Sequence, residues 1–132
     1  MLVIDSSVWI DYLCQRPTPE TDLLDALLAK RQIGVGDLIL AEVLQGFRIQ
    51  SEYEAAKREL LSFPLVPMGG KDNALAAAEY YRALRRCGIT VRGLVDCLIA
   101  AAVITGGHIL LHSDRDFDHF ERHLGLRVLH PS

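Results

Sequence analysis

Four acids stand where a soluble protein has little packing reason to keep them. Asp5 follows the apolar run Leu2-Val3-Ile4, and Asp114 follows Ile109-Leu110-Leu111 after only two residues. Glu42 lies inside Leu38-Ile39-Leu40-Ala41-Glu42-Val43-Leu44, and Asp96 inside Gly93-Leu94-Val95-Asp96-Cys97-Leu98-Ile99. If they converge, each close pair of carboxylates repels by roughly 4 kcal/mol at 4 Å in an effective dielectric of 20. Such a cluster must take up protons or a hard cation. An all-oxygen donor set suits Mg²⁺, with Mn²⁺ as the alternative, rather than zinc. One or two such ions lower the pKa of a bound water and neutralise a phosphodiester in line for attack. That chemistry needs no protein nucleophile, and the chain has no G-x-S-x-G elbow, no P-loop and no Cys–His pairing.

To bring four acids together, the fold must carry them on elements that end at one place. Short aliphatic runs closed by polar residues read as strands buried on both faces of a parallel sheet, whose carboxyl ends border the ligand crevice. Strands are expected at 1–5, 32–36, 64–67, 108–112 and 126–129. Helices are expected at about 7–14, 19–30, 38–47, 51–62, 71–87, 93–105 and 115–123. Thr18-Pro19-Glu20 reads as a helix cap with proline at the first helical position, and Ser51-Glu52-Tyr53-Glu54 as a capping box. The alternation gives a three-layer α/β/α sandwich around a mostly parallel central sheet.

With 132 residues, half of them apolar, the chain has the size of one domain, 1–132, with a well-filled core. Its longest strictly apolar run, Cys97 to Ile104, is too short to span a bilayer, and residues 1–15 lack the pattern of a signal peptide. Three cysteines without paired spacing indicate neither a disulfide framework nor a zinc knuckle. The expectation is a reduced cytoplasmic protein with no membrane partner.

A net charge of −3 is no signature of a nucleic-acid binder, but the distribution is uneven. Between Tyr80 and Val95 there is no acid, and Arg82, Arg85, Arg86 and Arg92 fall in that window. They form either a phosphate-contacting strip or, for the first three, a complement to a helix C-terminal dipole. Tyr80 and Tyr81 beside them fit an aromatic–basic strip or ordinary packing. Arg115, between two candidate acids, is a charge partner for them or a reach for phosphate.

The chain resembles PIN-domain ribonuclease toxins of the VapC type, from type II toxin–antitoxin systems. V-I-D-S-S-V-W at the N-terminus, A-E-V-L-Q-G-F, D-C-L-I-A-A-A and L-L-H-S-D-R-D-F carry the likeness, in the family's order and over essentially the whole length. The resemblance implies that Asp5, Glu42, Asp96 and Asp114 are the catalytic acidic quartet, with Asp5 and Asp96 as the principal metal ligands. It puts Asp116 on a frequent extra acid and Ser7 on the hydroxyl that supports the first aspartate. His112 departs from the threonine common at that strand end. It further implies Mg²⁺-dependent cleavage of structured RNA (tRNA or rRNA), inhibition of translation, neutralisation by a cognate antitoxin and assembly as a homodimer.

Each residue also has a plainer reading. Asp5, Asp96 and Asp114 can cap helices, and Asp116 is an ordinary first-turn acid. Trp9 is expected in the core with its N–H satisfied. Tyr12, Leu13, Leu44 and Phe47 are core residues or an apolar surface for a partner helix. Asp114, Asp116 and Asp118 mimic an EF-hand start, but His119 replaces the glycine and Gly125 the glutamate. His119 and His123 lack the adjacent glutamate of a zinc helix and are expected on an exposed face. Two other functions compete: a PIN-like DNA nuclease, and a corepressor that acts with an antitoxin on operator DNA. A haloacid-dehalogenase phosphatase would need an aspartate where Ser7 stands, and a receiver domain a lysine later than Lys71.

Overall fold

The N-terminal aliphatic run forms a strand, β1 (Leu2–Ile4), at the middle of a sheet in the computed structural model, which describes all residues from Met1 to Ser132. In chain order follow α1 (Ser6–Leu13), α2 (Pro19–Leu27), β2 (Ile33–Gly36), α3 (Asp37–Leu44), α4 (Gln50–Leu60) and β3 (Leu65–Val66). The remainder is α5 (Lys71–Arg86), α6 (Leu94–Thr105), β4 (Ile109–Leu111) and α7 (Asp116–Leu124). The sheet order is β3-β2-β1-β4, and every pairing is parallel.

Side chains of a strand alternate between faces, yet every residue of β1 and β2 is buried. Both faces of the sheet are therefore covered by helices, the arrangement that lets a parallel strand be apolar throughout. The chain builds outward from β1 to β2 and β3, then returns through α5 and α6 to lay β4 on the other side of β1. The reversal of direction falls between β1 and β4, where open α/β sheets leave a crevice beyond the strand ends. The register pairs Ile4 with Leu111, so Asp5 and His112 leave the sheet side by side.

Two glycines mark element ends. A side chain at Gly36, where β2 turns into α3, would force the end of the Met68 side chain to move. Gly125 closes α7 in the left-handed region at φ 76°, which only glycine adopts at little cost. Asp37 locks the same corner as Gly36: its Oδ1 accepts from the N–H groups of Leu38 and Met68, each at 2.9 Å.

Four expectations change. The strand at 126–129 is reduced to one bridge, Val128 to Leu110, because the chain leaves Gly125 with Leu126 turned into the core. No capping box forms at Ser51: α4 starts a residue earlier, with Ile49 at the cap position and no side-chain cap, and Glu54 instead accepts from Gln50 Nε2 at 2.9 Å. His119 is half-buried rather than exposed, with its Nδ1 shielded and unpartnered. Thr18 caps α2 as expected, in a reciprocal pair with Thr21. Trp9 is fully buried against Tyr12 and Phe63, but its N–H meets no protein acceptor. Tyr12, Leu13, Leu44 and Phe47 are partly buried against the core, and Leu13 and Phe47 also line a groove of about 500 Å³. No helix is long and apolar enough to cross a membrane.

Candidate metal centre

Asp5 leaves β1 in extended conformation, its backbone N–H still donating to Leu111 O at 2.9 Å. It is the N-cap of α1 and is only 3% exposed. Ser7 fixes its carboxylate, donating to Oδ2 from the hydroxyl at 2.6 Å and from the backbone N–H at 3.3 Å. The Ser7 hydroxyl in turn accepts from Ser113 N–H at 3.3 Å, tying the ends of β1 and β4 together. The support of Asp5 by Ser7 is thus a direct contact. Burial raises the Asp5 pKa, and the Ser7 contacts draw it back.

Glu42 projects from α3, the helix that starts at the carboxyl end of β2. Its Oε1 is buried with no hydrogen-bond partner. Burial raises its pKa first, with the charges of Asp5 and Asp114 adding to the rise and the Ser6 hydroxyl opposing it.

On the other side, Asp96 sits in the first turn of α6 and Asp116 at the first position of α7. Asp114 lies in the turn between β4 and α7, where its Oδ1 accepts from Asp116 N–H at 2.9 Å. It therefore caps α7 by its side chain, although Arg115 is the residue at the helix boundary. One carboxylate oxygen from each of Asp96, Asp114 and Asp116 lie within 4.8 Å of one another. Asp96 is pushed up to about 7, by burial first and then by Asp114, Asp5, Asp116 and Glu42 in that order. Its neighbours in charge are all the other acids of the expected set.

The tightest grouping differs from the one the sequence suggests. Asp116, expected only in support, is in the close triad; Asp5 and Glu42 stand outside it and act on it through their charge. The donor set is all oxygen, and Glu42 Oε1 is left without a proton donor. Both facts fit a hard divalent cation.

Among the arginines, only Arg92 touches a cluster acid, its Nη2 lying 3.8 Å from Asp116 Oδ1 with the side chain 88% exposed. Arg82 pairs with Glu79 at 3.4 Å and Arg85 lies over the Tyr81 ring at 5.6 Å. Arg86 and Arg115 are exposed and make no ion pair. Arg85 and Arg86 occupy the last turn of α5, where their charge also complements the helix dipole.

His112 has more to do than the sequence indicates. It is buried, and its Nδ1 accepts from Asp114 N–H at 3.1 Å while its ring packs on Phe117 with centroids 5.1 Å apart. Burial lowers its pKa, against the pull of Asp5, Asp118, Asp114 and Glu121. The only sequence signal was a histidine between an apolar strand and an acid.

The PIN domain family matches residues 2–123. The chain belongs to that family. It is 33% identical over 130 residues to the ribonuclease VapC11 of Mycobacterium tuberculosis, spanning 97% of each chain, a likeness that places it among the VapC ribonucleases. Its fold is that of one chain in the crystal structure of VapBC2 from Rickettsia felis bound to a DNA fragment from their promoter. The TM-score is 0.77 at 17% identity, over 97% of this chain and 96% of that one. It is also that of VapC20 from Mycobacterium tuberculosis, a sarcin–ricin loop cleaving toxin. There the TM-score is 0.68 at 17% identity, over 89% of this chain and 93% of that one.

Proposed function

We propose that this chain is a single-domain, Mg²⁺-dependent endoribonuclease toxin that cuts structured RNA, tRNA or rRNA, and thereby stops translation. The observation that carries the reading is the convergence of Asp5, Glu42, Asp96, Asp114 and Asp116 at the switch point of the sheet, with Asp96 pushed up to about 7 by burial first and then by the other four. Carboxylates 4.8 Å apart repel by about 3–4 kcal/mol in an effective dielectric of 20, so the site is stable only with compensating positive charge. The names of the VapC relatives supply the class of substrate.

Asp96, Asp114 and Asp116, with Asp5 across the cleft, would hold the cation. When bound, a divalent ion supplies charge neutralisation at the scissile phosphodiester and eases deprotonation of water. Ser7 keeps the Asp5 carboxylate pointed into the cleft. Glu42, whose Oε1 is buried without a protein donor, adds its negative charge to the cluster. Arg92, Arg115 and the arginines of α5 are the cations available to RNA phosphates.

Neutralisation by a cognate antitoxin, and assembly as a homodimer, belong to the same reading; the antitoxin is supported by the VapBC complexes that share the fold. A second role, strengthening an antitoxin's hold on operator DNA, is favoured by the promoter fragment in the Rickettsia felis complex.

The test is cleavage of total cellular RNA by the purified, partner-free protein in Mg²⁺, Mn²⁺ and EDTA, with ends mapped by sequencing. The expected result is discrete cuts that need metal and vanish in Asp5→Ala and Asp96→Ala. Folded protein that makes no cuts in either metal, or variants that cut as the wild type does, would overturn the proposal.

A further inference from the structure

Building on the reading of the acidic cluster as a cation site, we propose that His112 is the positioning residue that sets the 112–116 turn and so aims Asp114 and Asp116 at Asp96. Its imidazole emerges from the residue that follows β4, 9% exposed, and lies against Phe117, which is fully buried in the first turn of α7. Strand end and helix start therefore hold the ring between them. From that fixed position Nδ1 accepts the Asp114 N–H at 3.1 Å. Asp114 then accepts from Asp116 N–H at Oδ1, 2.9 Å, and from Phe117 N–H at its carbonyl, 3.2 Å.

Each link spans two or three residues, and together they determine the backbone that carries two of the three close carboxylates. Take away the Nδ1 acceptor and the Asp114 N–H loses its partner, leaving the first link free to swing. Because Asp114 spends Oδ1 on the helix start, its Oδ2 remains as the open donor. The ring takes this part only with its proton on Nε2, an atom buried without a protein acceptor. Partners one step removed from metal ligands typically change metal affinity roughly 10- to 100-fold when lost.

Packing and acceptance are separable by substitution. His112→Phe keeps a flat ring against Phe117 and removes the acceptor; His112→Asn restores an acceptor close to the Nδ1 position and packs worse. The experiment measures Mn²⁺ affinity by calorimetry at pH 8 for wild type, both variants and Asp96→Asn, with circular dichroism confirming the fold of each. Weakening of roughly 10- to 100-fold in His112→Phe, with most of the affinity recovered in His112→Asn, is the expected result. Wild-type affinity in His112→Phe, or equal loss in both variants, would overturn the inference while leaving the cation site standing. A wild type that binds no Mn²⁺, or binds it as well as Asp96→Asn does, would overturn the cation reading and this inference with it.

Discussion

The two walls of the acidic cleft are built on opposite principles. On the β1 side, Asp5 is buried, spoken for by two hydrogen bonds from Ser7, and continuous with a strand that is buried throughout. Facing it, Asp96, Asp114 and Asp116 are half-exposed, sit at helix starts, and lie within 4.8 Å of one another. The first wall is finished without a ligand. The second is a concentration of like charge that helix N-termini alleviate in part and a proton or cation must complete. A site can thus be pre-organised on one side and held under electrostatic strain on the other, a strain that a bound cation would relieve.

The largest effect expected from breaking either wall is on cleavage. Asp5→Ala and Asp96→Ala should each lower the rate of RNA cleavage by roughly a thousandfold, the several kcal/mol a bound cation contributes to such a reaction, measured on one mapped RNA substrate.

Stability should separate the walls. With its pKa near 7 in the folded chain against an ordinary 3.8, Asp96 binds its proton more tightly folded than unfolded. Its contribution is fully present below about 4 and is lost as pH rises through 7. The melting temperature of metal-free protein should therefore fall by several degrees between pH 5 and pH 8, and Mn²⁺ should restore it more at pH 8 than at pH 5. Asp96→Asn should flatten both dependences, which differential scanning calorimetry with and without EDTA will show.

Ser7→Ala tests the finished wall. Loss of a hydrogen bond to a buried carboxylate should cost about 1–2 kcal/mol in chemical denaturation, with or without metal. The smallest effect belongs to Arg92→Ala. The pair with Asp116 is 3.8 Å long and its arginine is largely in solvent, so unfolding free energy should change by less than about 0.5 kcal/mol. A larger change would mean that the open wall is already neutralised by its own arginine.

The same division explains what could be read from the sequence. Asp5 and Asp114 were visible because an aliphatic run ended at the first and two residues before the second, and Glu42 and Asp96 because apolar neighbours made them conspicuous. Sequence pattern does not encode which of these acids come closest. That depends on the turn after Leu111, where two short hydrogen-bonded links bring Asp116 inward. The 126–129 segment has the composition of a strand, yet Gly125 redirects it so that Leu126 fills the core and one bridge remains. Ser51 satisfied the pattern of a capping box, but α4 gained a residue and moved the cap position away from it. His112 was legible only as a residue out of place, since its role lies in a ring nitrogen and a backbone N–H.

The most direct test is a crystal structure of the partner-free protein soaked in Mn²⁺ at pH 8, with anomalous difference density. The expected result is a peak in the cleft bounded by Asp96, Asp114 and Asp116, with Asp5 facing it from the other wall. A cleft without a peak at millimolar Mn²⁺, or a peak away from Asp96, would contradict it.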